Sequence, residues 1–256
     1  MIFESHAHFD DDSFNEDRSL LFQNMQKQGI SHIINVTADW DSLEATKKLT
    51  EQYDFVYGTV GIHPSDVNNL TDERIQQMLS FGKQDKIVAV GEIGLDYYYE
   101  DPDRSIQKIW FSKQLEMAQE LQLPVIIHSR DAAADTLDIM KSECGKNLTG
   151  VIHCFSYSKE IAKIYLDMGY SFGIGGVITF NNARKLVEAV EYIPIENILL
   201  ETDSPYLAPV PNRGKRNTSL NLPYIANKIA EIKNISYDEV IRITHQNAKN
   251  LFSKVK

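Results

Sequence analysis

Cysteine is almost missing from this chain. Cys144 and Cys154 are the only two in 256 residues. That is too few for a disulfide framework and points to a reducing compartment, the cytoplasm. Also missing is any apolar run approaching the ~18 residues of a membrane span, so no membrane partner is expected. Positive charge is in deficit: 26 Lys and Arg stand against 36 Asp and Glu, a net charge of −10. A surface of that sign does not wrap nucleic acid, and a polyanionic substrate has to be drawn in locally, by a basic loop or by bound cations. Glu4 and His6 interrupt the N-terminus too early for a signal peptide. There is no lipidation motif, low-complexity tract or short internal repeat. No Gly-x-Gly-x-x-Gly follows the first strand, which argues against a dinucleotide-binding sheet. No Pro/Gly/Ser-rich linker divides the chain, so one domain over residues 1–256 is expected.

What is present is a regular alternation. Eight β-rich runs, near 2–6, 32–36, 55–60, 87–91, 124–127, 149–153, 170–174 and 197–201, are separated by amphipathic stretches. Leu20, Leu21, Met25 and the closing Gly29 mark the first helix. Ile106, Ile109, Trp110, Leu115, Ala118 and Leu121 mark a long one. Ile225, Ile229 and Ile232 recur near the C-terminus. A last helix, over about 236–252, opens on a Ser236-x-x-Glu239 capping signal. Strands separated by single helices pair in parallel, and buried parallel strands read as near-continuous apolar runs, as "VIIH" and "NILLE" do. Eight such units predict an α/β fold, a (β/α)8 TIM-type barrel with an extra C-terminal helix.

The first strand runs into His6 and His8. Alternate residues of a strand share a face, so both imidazoles converge on one point, a geometry that suits a divalent metal. By itself His-x-His is a weak signal. The other strand ends strengthen it: the fourth ends in Glu92, the fifth in His128, the sixth in His153 and the eighth in Asp203. Each is a good metal ligand, and each closes an apolar run at the rim where this architecture carries its chemistry. Six ligands exceed one tetrahedral ion and suit two ions sharing a bridge. The expected assignment is His6, His8 and Asp203 on one ion and His128 and His153 on the other. Glu92 is expected between them. Such a pair generates hydroxide near neutral pH and clamps the attacking and leaving oxygens of a displacement. Asp203 is the candidate general base, alongside Glu92 as catalytic bridge.

These motifs fall in a familiar order. "SHAHFD", "GIHPSD", "AVGEIGLDYY", "LPVIIHSRDA", "VIHCFS", "GGVITF", "LLETDSPYLAP" and "RGKRN", followed by "NAKNLF", run through nearly the whole chain. The sequence resembles the TatD family of metal-dependent deoxyribonucleases, within the amidohydrolase-like barrels. The resemblance implies a (β/α)8 barrel, two divalent cations and hydrolysis of DNA phosphodiesters, often as a 3′→5′ exonuclease. It places the family's ligands on the same six residues. Two departures touch the substrate side. Ser65 stands where many relatives carry a second histidine, and Thr218 and Ser219 follow "RGKRN" where many have Glu-Pro.

Around the ligands, His63, Arg130 and the basic residues Arg213, Lys215 and Arg216 are candidates for contacting a phosphate backbone. The competing readings are a packing or ligand-supporting histidine, an arginine ion pair and a solvated loop. Asp96 is placed to orient a ligand histidine or to cap a turn. Tyr97, Tyr98 and Tyr99, like Phe155 and Tyr206, are candidates for stacking unpaired bases or for packing. His32 and His245 are expected to be structural. Cys154 is expected to be a buried thiol on the opposite face from His153. Gly173, Gly175 and Gly176 either admit a ligand to the backbone or serve a turn.

The leading reading is a two-metal hydrolase that shortens DNA from a 3′ end, using a metal-bridging hydroxide with Asp203 as base. The alternative is hydrolysis of a small amide, lactone or ester on the same centre, since the ligands alone do not choose between carbonyl carbon and phosphorus. Metal storage without catalysis is disfavoured by Asp203. The imidazole-rich set favours Zn, Mn or Co, while phosphoryl chemistry often uses Mg. Oligomeric state is not legible, and the sequence is compatible with a monomer.

Overall fold

The computed structural model describes residues 1–256. In chain order the strands are β1 (Ile2–Ala7), β2 (Ile30–Asn35), β3 (Val56–Val60), β4 (Ile87–Asp96), β5 (Val125–Arg130), β6 (Gly150–Ile152), β7 (Ser171–Ile174) and β8 (Ile198–Leu200). The α-helices are α1 (Arg18–Lys27), α2 (Trp40–Gln52), α3 (Asp72–Gly82), α4 (Arg104–Leu121), α5 (Ala133–Lys141), α6 (Lys159–Asp167), α7 (Arg184–Tyr192), α8 (Leu222–Lys233) and α9 (Tyr237–Leu251). All eight strands belong to one sheet in the order β1 to β8. The chain is a (β/α)8 TIM-type barrel with one helix beyond the eighth. The additional helix α9 starts where the capping signal placed it, with the Glu239 backbone N–H donating to Ser236 Oγ at 3.2 Å. No helix is long and apolar enough to cross a membrane.

The chain divides into two compact units. The first comprises Met1–Asn35 and Cys154–Leu251. It holds β1, β2, β7 and β8. All six residues of β1 are buried, as expected of a parallel strand covered on both faces. β1 pairs with β2 on one side. On the other it meets the segment after β8. There the His8 N–H donates to the Ser204 carbonyl at 2.7 Å, and the Asp203 N–H to the His6 carbonyl at 3.0 Å. Those two bonds fix the histidines against Asp203. Phe9, Phe14 and Phe22 pack as an aromatic cluster beneath, with ring centroids 4.9 and 5.1 Å apart.

The second unit comprises Val36–His153 and Phe252–Lys256 and holds β3 to β6. β4 runs ten residues, all buried, and continues past Glu92 to Asp96, five residues beyond the expected end. β5 pairs with it along that extension, setting Gly94 beside His128 and Asp96 beside Arg130. Gly94 is required there. Its φ is +146°, and a Cβ would lie 1.9 Å from the His128 carbonyl oxygen, so only glycine lets the two strands close up next to His128. Helix α4 differs from the expected pattern. Ile106 and Ile109 are exposed, whereas Gln107 and Gln114 are buried. The glutamine amides hydrogen-bond backbone at the end of β4 and just after β3. Gln107 Oε1 accepts from Asp96 N–H at 2.9 Å, and Gln114 Oε1 accepts from Ile62 N–H at 2.8 Å. Apolar periodicity could not show a helix face held by two amides.

Candidate functional site

In the first unit, His6, His8 and Asp203 stand together. His6 Nε2 and His8 Nε2 are 3.2 Å apart. Asp203 Oδ1 is 3.8 Å from the former and 3.4 Å from the latter. The edge of a tetrahedron built on Zn–N bonds of 2.0–2.1 Å is ~3.3 Å. A triangle of edges 3.2, 3.4 and 3.8 Å therefore fits one divalent cation without rearrangement. His6 is buried, while His8 and Asp203 are half-buried, so the face they offer stays reachable. Asp203 has a left-handed backbone, φ +58°, a conformation Asp and Asn tolerate better than most residues.

Glu4 and Glu201 belong to the same unit and were not singled out from the sequence. Both are buried. Glu4 Oε1 accepts from Thr202 N–H at 2.9 Å and from His6 N–H at 3.3 Å, and Oε2 lies 2.7 Å from Thr202 Oγ1. One carboxyl thus ties the strand that carries His6 to the turn that carries Asp203. Burial, only partly offset by these hydrogen bonds, pushes the Glu4 carboxyl up to about 8. Glu201 Oε1 accepts from Cys154 N–H at 2.6 Å. A Cβ on Gly173 would lie 2.0 Å from Glu201 Oε2. Gly173 is therefore small to house that carboxylate, and Gly176 is small because a Cβ would meet the Leu207 carbonyl at 2.1 Å.

The raised Glu4 value carries a stability prediction. The unfolded chain releases this proton near 4.5 and the folded chain near 8. Between those values the folded state binds more protons, so this group's contribution to stability falls as pH rises through the window and is fully lost above it. Glu4→Gln has no proton to lose. Its thermal midpoint, measured on chelator-treated protein, is expected to gain on the parent from pH 5 to pH 8, by the equivalent of a few kcal/mol at the upper end. A difference that stays flat with pH defeats this account of Glu4.

In the second unit the centre of charge is Glu92. Its Oε1 lies 2.8 Å from His128 Nδ1, 3.6 Å from His153 Nε2 and 3.9 Å from His63 Nε2. Ligand atoms of His63, Glu92 and His128 lie within 4.8 Å of one another, close enough for one cation. The other nitrogen of His128, Nε2, is 3.1 Å from Asp96 Oδ2. A carboxylate on the far nitrogen fixes ring orientation and raises ligand basicity. Burial alone would pull the His128 imidazole down, but Asp96 and Glu92 outweigh it and hold it above its ordinary value. Burial likewise works against the Asp96 charge, and the His128 contact overrides it, leaving that carboxyl below its usual range.

His63, read from sequence as a phosphate contact, keeps company with the candidate ligands. Its Nδ1 accepts from Ser65 N–H at 3.1 Å, which leaves Nε2 facing Glu92. Ser65 thus orients His63 through its backbone, which any residue there could do. Arg130 is exposed and turns to an aromatic neighbour. Its guanidinium lies 3.7 Å over the Tyr98 ring. In the basic loop, Arg216 is fastened to Asp17 at 2.6 and 2.9 Å and to the Ser13 carbonyl. Arg213 lies 4.3 Å over the Phe180 ring, and Lys215 is exposed. Cys154 departs from expectation. β6 ends at Ile152, so strand alternation no longer governs residue 154. It has φ +44° and is only half-buried. His32 and His245 lie apart from both clusters, packed on Phe3 with centroids 5.2 and 5.9 Å away.

A family model described as TatD related DNase matches residues 3–253. A Bacillus subtilis (strain 168) protein named as the uncharacterized metal-dependent hydrolase YabD is 37% identical, with 98% of this chain and 99% of that one covered. The Escherichia coli (strain K12) uncharacterized metal-dependent hydrolase YcfH is 34% identical over 98% of this chain and 95% of its own. Among solved structures, the crystal structure of YJJV, a TatD homologue from Escherichia coli K12, superposes with a TM-score of 0.92 at 30% identity, covering 98% of each chain.

Proposed function

Because the chain belongs to the TatD-related DNase family and is a metal-dependent hydrolase, we propose that it cleaves phosphodiester bonds of DNA and shortens a strand from its 3′ end. The observation that carries the proposal is the His6–His8–Asp203 triangle, whose edges match the spacing of ligands around one divalent cation. In this reading residues 1–256 work as one catalytic domain with two cations of the Mg, Mn, Zn or Co kind. His6, His8 and Asp203 would hold one, and Glu92, His128 and His153 the other. The position of His63 supports adding it to the second set. When bound, such cations supply Lewis-acid charge to a phosphoryl oxygen and acidify nearby water.

The chain's own residues do the rest. Asp203 turns Oδ1 toward His6 and His8, and Oδ2 is assigned to take the proton from the attacking water. Asp96 holds the His128 ring in register, and Glu4 holds the Thr202–Asp203 turn against β1. Of the basic residues, Arg213 and Lys215 are assigned to the phosphate backbone. Arg216 is assigned to fixing their loop through Asp17. A net charge of −10 makes such a local basic loop the natural entry for a polyanion.

The test is incubation of purified protein with 3′- and 5′-labelled single-stranded DNA and Mg²⁺ or Mn²⁺, beside a panel of small esters, lactones and amides. Stepwise loss from the 3′ end is the expected result. Turnover of a small ester with DNA left intact would overturn the proposal in favour of carbonyl hydrolysis.

A further inference from the structure

Immediately after β4, the tyrosines 97 to 99 divide into two kinds. Tyr97 is anchored. Its hydroxyl donates to Asp135 Oδ2 at 2.6 Å, and the Arg104 guanidinium covers its ring at 4.3 Å. Tyr98 and Tyr99 are 58% and 55% exposed. Their rings stand edge to face, centroids 4.9 Å apart at 89°. The exposed guanidinium of Arg130 lies 3.7 Å over the Tyr98 ring and 5.8 Å from that of Tyr99. Three flat groups thus cluster at the surface, the two rings perpendicular to each other and Arg130 on one face of Tyr98.

That cluster is fixed to a candidate metal ligand. Tyr98 N–H donates to Asp96 Oδ1 at 2.9 Å, and the other oxygen of Asp96 is 3.1 Å from His128 Nε2. Arg130 sits two residues past His128 on β5, in register with Asp96. The loop's start is fixed too. Gln107 Nε2 donates to the Asp96 and Pro102 carbonyls at 2.9 and 2.8 Å. Two large rings exposed to water beside a candidate metal cluster suit a partner that is flat. The surroundings say which part of a polynucleotide that partner is. Glu100, Asp101 and Asp103 follow in sequence, so the loop repels phosphate, and Arg130 has its face against Tyr98.

We propose that Tyr98, Tyr99 and Arg130 form a stacking platform for an unpaired nucleobase near the 3′ end of the substrate strand. The proposal rests on the DNA reading above and deepens it. The platform takes bases that are out of a duplex, and it makes frayed or single-stranded 3′ ends the preferred substrate. Every base has a π-face, so the platform is indifferent to sequence.

The experiment compares 3′ shortening of a single-stranded oligonucleotide with that of the same oligonucleotide carrying abasic residues at its last three positions. The parent protein is set beside Tyr98→Ala/Tyr99→Ala and Tyr98→Phe/Tyr99→Phe, each checked for an unaltered thermal midpoint. Stacking on aromatic side chains predicts that the parent prefers the intact strand in kcat/KM, mainly through KM. The preference should fall about tenfold in the alanine variant and return in the phenylalanine variant. An alanine variant that keeps the parental preference overturns the platform while leaving DNA hydrolysis standing. So does one whose loss is the same on both oligonucleotides. A parent inert toward every DNA overturns the underlying reading instead.

Discussion

Asp203→Asn is expected to lower DNA hydrolysis by about 10² to 10⁴, the range a positioned general base supplies, and saturating metal is expected not to restore it. Asparagine is the informative replacement. It tolerates the φ of +58° that residue 203 adopts, so the backbone bond from Asp203 N–H to the His6 carbonyl survives. It also keeps an oxygen to face His6 and His8. What it loses is the negative charge and the ability to accept a proton. Alanine would lose all of these and add strain at a left-handed position, and its failure would say little. Two roles then separate cleanly. A residue that only ligates weakens metal binding, so rates recover as Mg²⁺ or Mn²⁺ is raised. A residue that takes the proton leaves a low plateau at every metal concentration. Hydrolysis followed over a metal titration reads that plateau directly. Recovery to within a few-fold of the parent would reduce Asp203 to a ligand.

The residues proposed for this site are legible in the sequence because they close apolar runs. His6, Glu92, His128, His153 and Asp203 each follow a stretch such as "VIIH" or "LLETD", and burial of parallel strands on both faces makes those stretches easy to recognise. The supporting carboxyls stayed hidden for a related reason. Glu4 and Glu201 lie inside the same runs and look like ordinary strand polarity. Their partners sit 198 and 47 residues away, at Thr202 and Cys154. Arg216 and Asp17, 199 residues apart, were invisible as a pair, which is why the loop read as uniformly available to phosphate. The length of β4 was misread because Glu92 resembled a strand end. Only the close approach at Gly94 shows that the strand continues to Asp96, and that continuation brings Asp96 under His128. Residue type alone does not separate a ligand histidine from one that donates to a phosphate, and His63 was open to both a phosphate contact and a supporting role; its Nε2 lies 3.9 Å from Glu92 Oε1.

Glu92→Gln is expected to lower the divalent metal retained after dialysis by about one ion per chain, and to lower hydrolysis by at least ~10². Glu92 Oε1 stands within 4 Å of three imidazoles, so one neutralising change acts on all of them. The amide still fills the same volume and still offers an oxygen to His128, so a loss cannot be assigned to packing. Two opposed consequences follow from the lost charge. A cation on His128 and His153 would lose Glu92, the one carboxylate assigned to it, and affinity drops. The imidazole of His128, now held above its ordinary value by Asp96 and Glu92 together, would keep Asp96 alone and shed its proton more easily. A more readily neutral imidazole is a better ligand, so this second effect works against the first. The coordinating charge is expected to win, because it acts on the bound state at every pH while the imidazole shift matters only near its titration. Elemental analysis of dialysed protein at pH 6 and pH 8 separates the two. Metal content below the parent at both values supports Glu92 as a ligand. Content equal to the parent at pH 8, with a lowered thermal midpoint, would instead make Glu92 only the counter-charge of His128 and remove it from the metal centre.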